Sequence, residues 1–297
     1  MIIKKLFNVL TLLLMMAVVS SCEKMVVQEN GGETVPADAN VVLRVGTIEQ
    51  IPFDGQTRSD VKDCCVRLNF DVYDENGEKV DYVNQTSDDA NFGAASFSLT
   101  EGHYFIVVVA HSGSKNPSFY ASGKISIAGK DLGDTFWCCE EVEVGAERIQ
   151  KSLVLKRIVA LVRFISNDAL PATANWMRFT YKGSRGTFSG FDGYGWPTTK
   201  STKQTVEMDV AAGQTQFEFY MIPCEDMGDL SVEVVTKHVE GAVIDNLSEK
   251  TIEGIPVRRN CITICRGNLF NNEDSSHSSN FTISIDEEWG ENINLTF

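Results

Sequence analysis

One cysteine of the chain stands where its thiol could take a lipid. Cys22 ends the run Val19-Ser20-Ser21-Cys22, which follows a short basic start and a long apolar stretch. That stretch has about 14 residues, which suits a secretion signal, because a transmembrane helix needs roughly 20. Small residues fit a signal peptidase, and a cysteine thiolate is the group that takes diacylglycerol. We predict a signal peptide over residues 1–21 and a lipid on Cys22; the alternative is an ordinary signal with a chance cysteine.

Two adjacent cysteine pairs, Cys64-Cys65 and Cys138-Cys139, could form disulfides. Adjacent residues of a strand point to opposite faces. Continuing the alternation of the neighbouring residues, Cys64 and Cys138 should face a core, and Cys65 and Cys139 should face solvent. The pairings Cys64–Cys138 and Cys65–Cys139 are then open if the strands are neighbours, and an exported protein favours oxidation. Free thiols are the alternative; the spacing does not match the Cys-x-x-Cys loops of zinc sites.

Nothing in the sequence has the spacing of a catalytic or metal-binding motif. The chain has 4 histidines, and none forms His-x-His or His-Glu-x-x-His. Neither Gly-x-Ser-x-Gly nor a phosphate-binding loop is present. We predict no enzyme, no cofactor and no metal. A surface hydrolase stays as a third reading, since carboxylates paired only in the fold are invisible in sequence.

The segment 176–196 alternates aromatic residues with glycines and ends in Tyr194-Gly195-Trp196. One reading is an exposed platform, Tyr194 and Trp196, that stacks on sugar rings. The other is a hairpin whose aromatics pack on the second sandwich and whose glycines make the turn. We favour the hairpin, because aromatics at strand spacing are normally core residues or cross-strand pairs.

Composition limits the function further. The formal net charge of the 297-residue chain is −15, and loss of the signal's two lysines leaves the 276 mature residues (297 − 21) near −17. This balance disfavours nucleic-acid binding, which needs a basic face. A hydrophobic content of 43% supports real cores and argues against disorder.

The elements that would position these residues are strands almost throughout. Val66, Leu68, Phe70 and Val72 alternate with polar residues or tyrosine, which predicts a strand with one buried face. Similar short runs follow, separated by turn signals every 8 to 15 residues, roughly the spacing of antiparallel sandwiches. We predict an all-β chain: a lipidated tether at residues 22–40, an N-terminal β-sandwich at 41–156 and a C-terminal β-sandwich at 157–297.

Four segments, in order along the chain, carry a family resemblance. Residues 66–80 (Val-Arg-Leu-Asn-Phe-Asp-Val-Tyr-Asp-Glu-Asn-Gly-Glu-Lys-Val) resemble an early strand-turn-strand of the FimB/Mfa fimbrial lipoproteins of Bacteroidia. Residues 99–110 are similar to that family's next hairpin. Residues 155–160 (Leu-Lys-Arg-Ile-Val-Ala) resemble its Leu-x-Arg-x-x-Ala segment at the domain junction, and 220–224 (Tyr-Met-Ile-Pro-Cys) its Tyr-x-x-Pro segment. The resemblance implies two tandem transthyretin-like antiparallel sandwiches in an anchoring or accessory pilus subunit.

The resemblance also implies assembly by strand exchange with a major or accessory pilin, in which a strand of one subunit completes a sheet of another. We predict the first strand, from Val41 to Val45, and the last, from Asn292 to Phe297, as the exchanging segments. Pilins of the wider group are trimmed after an arginine; we predict that this chain stays uncut at Arg44 and Arg58, because a cut there would remove its lipid.

The predicted location is the outer membrane, with lipid as the sole attachment and the protein exposed as part of a fimbrium. The residue after Cys22 is glutamate, not the aspartate that retains some lipoproteins at an inner membrane. The second reading is a surface adhesin on the same fold that binds a glycan or host molecule, including at a pilus tip.

Overall fold

Alternating apolar side chains bury one face of most strands, and the pairing of these faces builds the protein. The computed structural model describes residue 36 and residues 38–49, 61–196, 202–225, 228–271 and 281–286. Its helical elements are one short helix, α1 (Val61–Cys64), and a 3-10 turn at Gly129–Asp131. The strands of the first half are β1 (Val41–Glu49), β2 (Arg67–Asp74), β3 (Lys79–Thr86), β4 (Ala94–Phe97), β5 (Gly102–His111), β6 (Ser118–Phe119), β7 (Lys124–Ser126), β8 (Thr135–Val144) and β9 (Ile149–Arg157). The strands that follow are β10 (Ala160–Ser166), β11 (Trp176–Lys182), β12 (Thr187–Ser189), β13 (Lys203–Asp209), β14 (Gln216–Met221), β15 (Gly228–Glu240), β16 (Val243–Val257), β17 (Ile262–Gly267) and β18 (Phe281–Asp286).

The first sandwich is a single seven-stranded sheet folded on itself, in the order β3-β2-β5-β8-β9-β1-β4. β8 and β9 pair only at Phe136–Arg157 and Trp137–Lys156, so the sheet turns a corner there. The layers β3-β2-β5-β8 and β9-β1-β4 then share one apolar core. All pairs are antiparallel except β1–β9, which is parallel.

The second sandwich repeats this plan with two separate sheets, β13-β11-β15-β16 and β14-β10-β17-β18. The first matches β3-β2-β5-β8 strand for strand, and β14-β10-β17 matches β4-β1-β9, including the parallel pair β10–β17. Only β18 has no counterpart among the described strands of the first sandwich. The predicted all-β fold of two sandwiches is confirmed, and the two parallel pairs are a feature that the alternation of residues did not predict.

A small third sheet, β12-β7-β6, links the two halves. β12 of the second half pairs with β7 of the first, and together with β6 they cover the outer face of the first sandwich. The predicted domain limits at 156 and 157 stay a prediction, because strands from both sides of them share this sheet.

The covering layer explains one wrong prediction, that β2 has a single buried face. Leu68, Phe70 and Val72 are buried in the core as predicted, whereas Val66, which precedes the strand, is 45% exposed. Asp71 and Tyr73 on the opposite face are buried as well. Burial raises the pKa of Asp71 to about 6, although Lys79, 3.6 Å away, acts in the opposite direction.

Candidate functional site

β1 fills a slot inside the first sandwich. It pairs in parallel with β9 along its whole length and antiparallel with β4 along Val41–Arg44. The side chains of Val41, Leu43 and Ile48 are 0% exposed, and Val45 packs partly buried on the same core. Burying each of these side chains stabilises the fold by about 1.5–3 kcal/mol. The segment predicted to exchange, Val41 to Val45, is therefore occupied on both sides in this structure.

β18 is held differently, because it is an edge strand. Its six residues pair antiparallel with Ile262–Gly267 of β17, and its other edge has no partner among the described strands. Phe281 and Ile283 are only partly buried on the second core, and Lys250 Nζ lies 5.1 Å from the centre of the Phe281 ring. The other predicted exchange segment, Asn292 to Phe297, and the lipidation residue Cys22 lie outside the described residues.

A buried arginine joins the two sandwiches. Arg157, at the end of β9, donates from Nε to Asp134 at 2.6 Å, and from Nη2 to the second oxygen of Asp134 at 2.8 Å. Its Nη1 donates to Asn260 Oδ1 of the second sandwich at 2.8 Å. The guanidinium also lies 4.8 Å from the ring centre of Phe136, and the side chain is only 5% exposed. This arginine is the third residue of the 155–160 segment that carried the family resemblance.

The aromatic segment does not form the single hairpin that we favoured, because β11 belongs to a sheet of the second sandwich whereas β12 pairs with β7 of the first half. Phe188 of β12 is fully buried, and Trp137 of the first sandwich donates from Nε1 to the Gly190 carbonyl at 2.7 Å. Arg259 covers one face of the Tyr194 ring, its guanidinium carbon 3.5 Å from the ring centre. Trp196 is 40% exposed. Of the two residues of the predicted sugar platform, Trp196 is open to solvent, whereas one ring face of Tyr194 is covered by Arg259.

None of the four cysteines of the predicted disulfides is in a disulfide bond in this structure. β5 lies between β2 and β8, and its pairings set Cys138 level with Phe70, well beyond the chain position of Cys64 and Cys65. The premise that the cysteine strands are neighbours was therefore wrong. The predicted facing of the first pair was wrong too, because Cys64 ends α1 and the buried residue of the pair is Cys65.

Burial also makes the thiols of β8 poor nucleophiles. It is the main cause that raises the pKa of Cys138 to about 12 and that of Cys139 to about 11, with nearby acidic groups adding to the effect. Disulfide formation begins from a thiolate, and burial disfavours that form of both side chains.

A cavity of about 360 Å³ opens where β11 and β15 separate in the second sandwich. The two strands pair only as far as Tyr181–Val232, and the chain beyond diverges. Met221, Leu230 and Val257 form its apolar wall. Tyr181 also lines it: the side chain is 2% exposed and its hydroxyl has no hydrogen-bond partner among the described residues.

A charged cleft of about 660 Å³ adjoins this cavity on the outer face of the same sheet, and Thr180, Lys203 and Glu233 line both. Arg178 and Arg185 lie in the cleft together with Glu207. The Nε of Arg178 is buried without a hydrogen-bond partner among the described residues.

Arg185 donates from Nη1 to the Thr205 carbonyl. Burial lowers the pKa of Arg185, against the influence of Tyr181 and Glu207. Met221, Pro223 and Cys224 of the cavity lie in the 220–224 segment that carried the family resemblance, but no residue of the cavity or the cleft was predicted to bind a ligand.

Within the described ranges, histidine, cysteine, aspartate and glutamate side chains form no group of three that could hold a metal ion. No helix in the described part of the chain has the length and apolar character that a membrane crossing requires.

The model of a family of unknown function, DUF6562, matches residues 33–297. The chain belongs to this family. The DUF6562 match does not name the fimbrial family whose motifs the sequence resembles. No curated protein sequence matches the chain.

Solved structures similar to this DUF6562 chain come from Bacteroides and its relatives. A candidate adhesin from Bacteroides thetaiotaomicron is 12% identical, with a TM-score of 0.50 over 86% of this chain and 98% of that one. A candidate cell adhesion protein from Parabacteroides distasonis is 12% identical, with a TM-score of 0.50 over 87% and 99%. The tip fimbrial protein Mfa3 from Porphyromonas gingivalis is 13% identical, with a TM-score of 0.39 over 82% and 98%. At these identities the first two show the shared fold.

Proposed function

We propose that this DUF6562 protein is a lipid-anchored surface subunit that ends a fimbrial polymer at the outer membrane. In this proposal Cys22 carries the lipid, β1 stays in its slot, and the chain end that begins with β18 pairs with the next subunit. The observation that carries the proposal is the position of β18, which has no counterpart among the described strands of the first sandwich.

The surplus strand supports a role in assembly for two reasons. Among the described strands it pairs along one edge only, and its apolar side chains Phe281 and Ile283 are partly exposed, so its release leaves most of the second core intact. A strand edge also offers a row of backbone donors and acceptors, which is how extended segments bind sheets of other subunits.

The position of β1 between β9 and β4 supports a place for this subunit at the end of a polymer rather than in its middle. A subunit whose slot holds its own first strand has no room there for a strand from a neighbour. Arg44 lies within β1 and is paired to β4 on one side and to β9 on the other. A protease needs an extended, unpaired backbone, so this arginine is protected, and the link between β1 and Cys22 is kept. Arg58 lies outside the described residues.

The test compares three forms of the protein on cells: the natural chain, Cys22→Ala, and a chain truncated before Phe281. We expect the natural chain in the membrane fraction with the polymer, and Cys22→Ala with the polymer but released from the membrane. The truncated chain should stay lipidated and folded but leave the polymer. A truncated chain that still purifies with the polymer would overturn the role of β18, and a mature N-terminus after Arg44 or Arg58 would overturn the anchored end.

A further inference from the structure

We propose that the cavity and the charged cleft of the second sandwich form one binding site for a saccharide that carries a carboxylate and an N-acyl group. The proposal does not rest on the fimbrial role, because it concerns a ligand-sized space on the sheet that contains neither β1 nor β18.

The cleft supplies the anion-binding part. In the cleft, Arg178, Arg185 and Lys203 face two carboxylates, Glu207 and Glu233, which leaves one excess positive charge there. The lining of the cavity adds Lys182, Glu225 and Asp229, so the positive excess is confined to the cleft. Arg178 makes no described ion pair, and its buried Nε keeps an unused donor. A guanidinium with free donors matches the planar shape of a carboxylate.

The cavity supplies the apolar part. Its wall of Met221, Leu230 and Val257 and its volume of about 360 Å³ give room for a small apolar substituent, at the low end of ligand pockets. The amide of an N-acyl group would bring its own polar atoms to the inner end. There the Tyr181 hydroxyl is buried without a partner and can donate to the acyl oxygen.

Hydroxyl groups of a sugar ring suit the residues between these two parts. Thr180, Lys203 and Glu233 line both spaces and offer a hydroxyl, an ammonium donor and a carboxylate acceptor. Sugar hydroxyls both donate and accept, so a row of mixed donors and acceptors satisfies them. A purely anionic ligand such as phosphate would leave Glu233 facing it without a partner.

Four small ligands test the contributions of the carboxylate, the N-acyl group and the sugar ring to binding. Each is titrated into the mature chain in detergent, and binding is followed by NMR chemical shifts. N-acetylneuraminic acid carries the carboxylate, the N-acetyl group and the ring. Glucuronic acid lacks the acyl group, N-acetylglucosamine lacks the carboxylate, and N-acetylaspartate lacks the ring. We expect N-acetylneuraminic acid to bind best. Absence of binding by it would overturn the proposal, and equal binding of N-acetylaspartate would overturn the saccharide assignment.

Variants then place the binding on these residues. Arg178→Gln should weaken N-acetylneuraminic acid binding about tenfold and reduce its dependence on salt. Lys237→Gln, a charge removal on the same strand layer outside the cleft, should leave the affinity unchanged. Ser231→Trp fills the cavity mouth from an exposed position and should abolish binding, whereas Ser231→Ala should not. Equal effects of Arg178→Gln and Lys237→Gln would show general charge attraction and overturn the assigned site.

Discussion

Removing the Arg157 side chain should destabilise the protein through the contact between its two sandwiches. Arg157→Met keeps an apolar stem over Phe136 but removes both bonds to Asp134 and the bond to Asn260. Breaking a buried ion pair by removing one partner typically costs about 3–5 kcal/mol, because the other charge stays buried. The Asp134 side chain is 22% exposed and can recover some hydration, so we expect a loss of about 2–4 kcal/mol.

The measurement is urea unfolding at neutral pH, with Arg163→Met as the matched control. Arg163 pairs with Glu218 at 2.8 Å, but these side chains are 25% and 41% exposed, so the control should lose less than about 1 kcal/mol. A double-mutant cycle of Arg157→Met with Asp134→Asn should show a coupling of about 1–3 kcal/mol. If Arg157→Met loses no more than Arg163→Met, the buried contact does not hold the sandwiches together.

Three further predictions concern single side chains and the thiols. Asp168 accepts hydrogen bonds from the backbone N–H groups of Leu269, Phe270 and Asn271. Burial raises the pKa of Asp168, but these bonds and one from Ser166 outweigh burial and hold the pKa low. Asp168→Ala should therefore lose about 2–4 kcal/mol in urea unfolding at neutral pH, and less below the usual carboxyl pKa. Burial lowers the pKa of His111 to about 4, mainly by desolvation, so His111 should contribute a loss of about 3 kcal/mol of stability as the pH falls from 6.5 to 4. Burial raises the pKa of Asp71 to about 6 and contributes a gain of similar size over this range, so the His111 contribution is measured as the difference between the wild type and His111→Gln, which lacks it. Thiol titration of the unfolded mature protein without reductant should find 7 free thiols besides Cys22, and a lower count would contradict the structure.

The fold was predictable because the strands carry their pattern locally. Leu68, Phe70 and Val72 repeat at the period of a strand, and the glycine-rich turns between such runs mark short antiparallel strands. The outer cover of β2 was not predictable in this way. It depends on β7 and β12, which are three residues long and come from different halves of the chain, so no local pattern brings them together.

The candidate sites, like the fold, were predictable only where the signal is local in the sequence. Arg157 drew attention through a segment resemblance, and only the fold shows why it matters, because its partners Asp134 and Asn260 are 23 and 103 residues away. The cleft residues Arg178 and Arg185 are ordinary charged residues in sequence. Their one local signal is that Arg178, Thr180 and Lys182 alternate with buried apolar residues on β11, which predicts a polar outer face but not its neighbours on β13 and β15.

The proposed role as a polymer end is tested most directly by cross-linking from β18 on intact cells. A photoreactive residue at Thr282, an exposed position of β18, should form adducts with a polymerised surface subunit. The same residue at Tyr82, on the exposed edge strand of the first sandwich, should form none with that subunit. Adducts of the polymer at both positions, or at neither, would contradict the account.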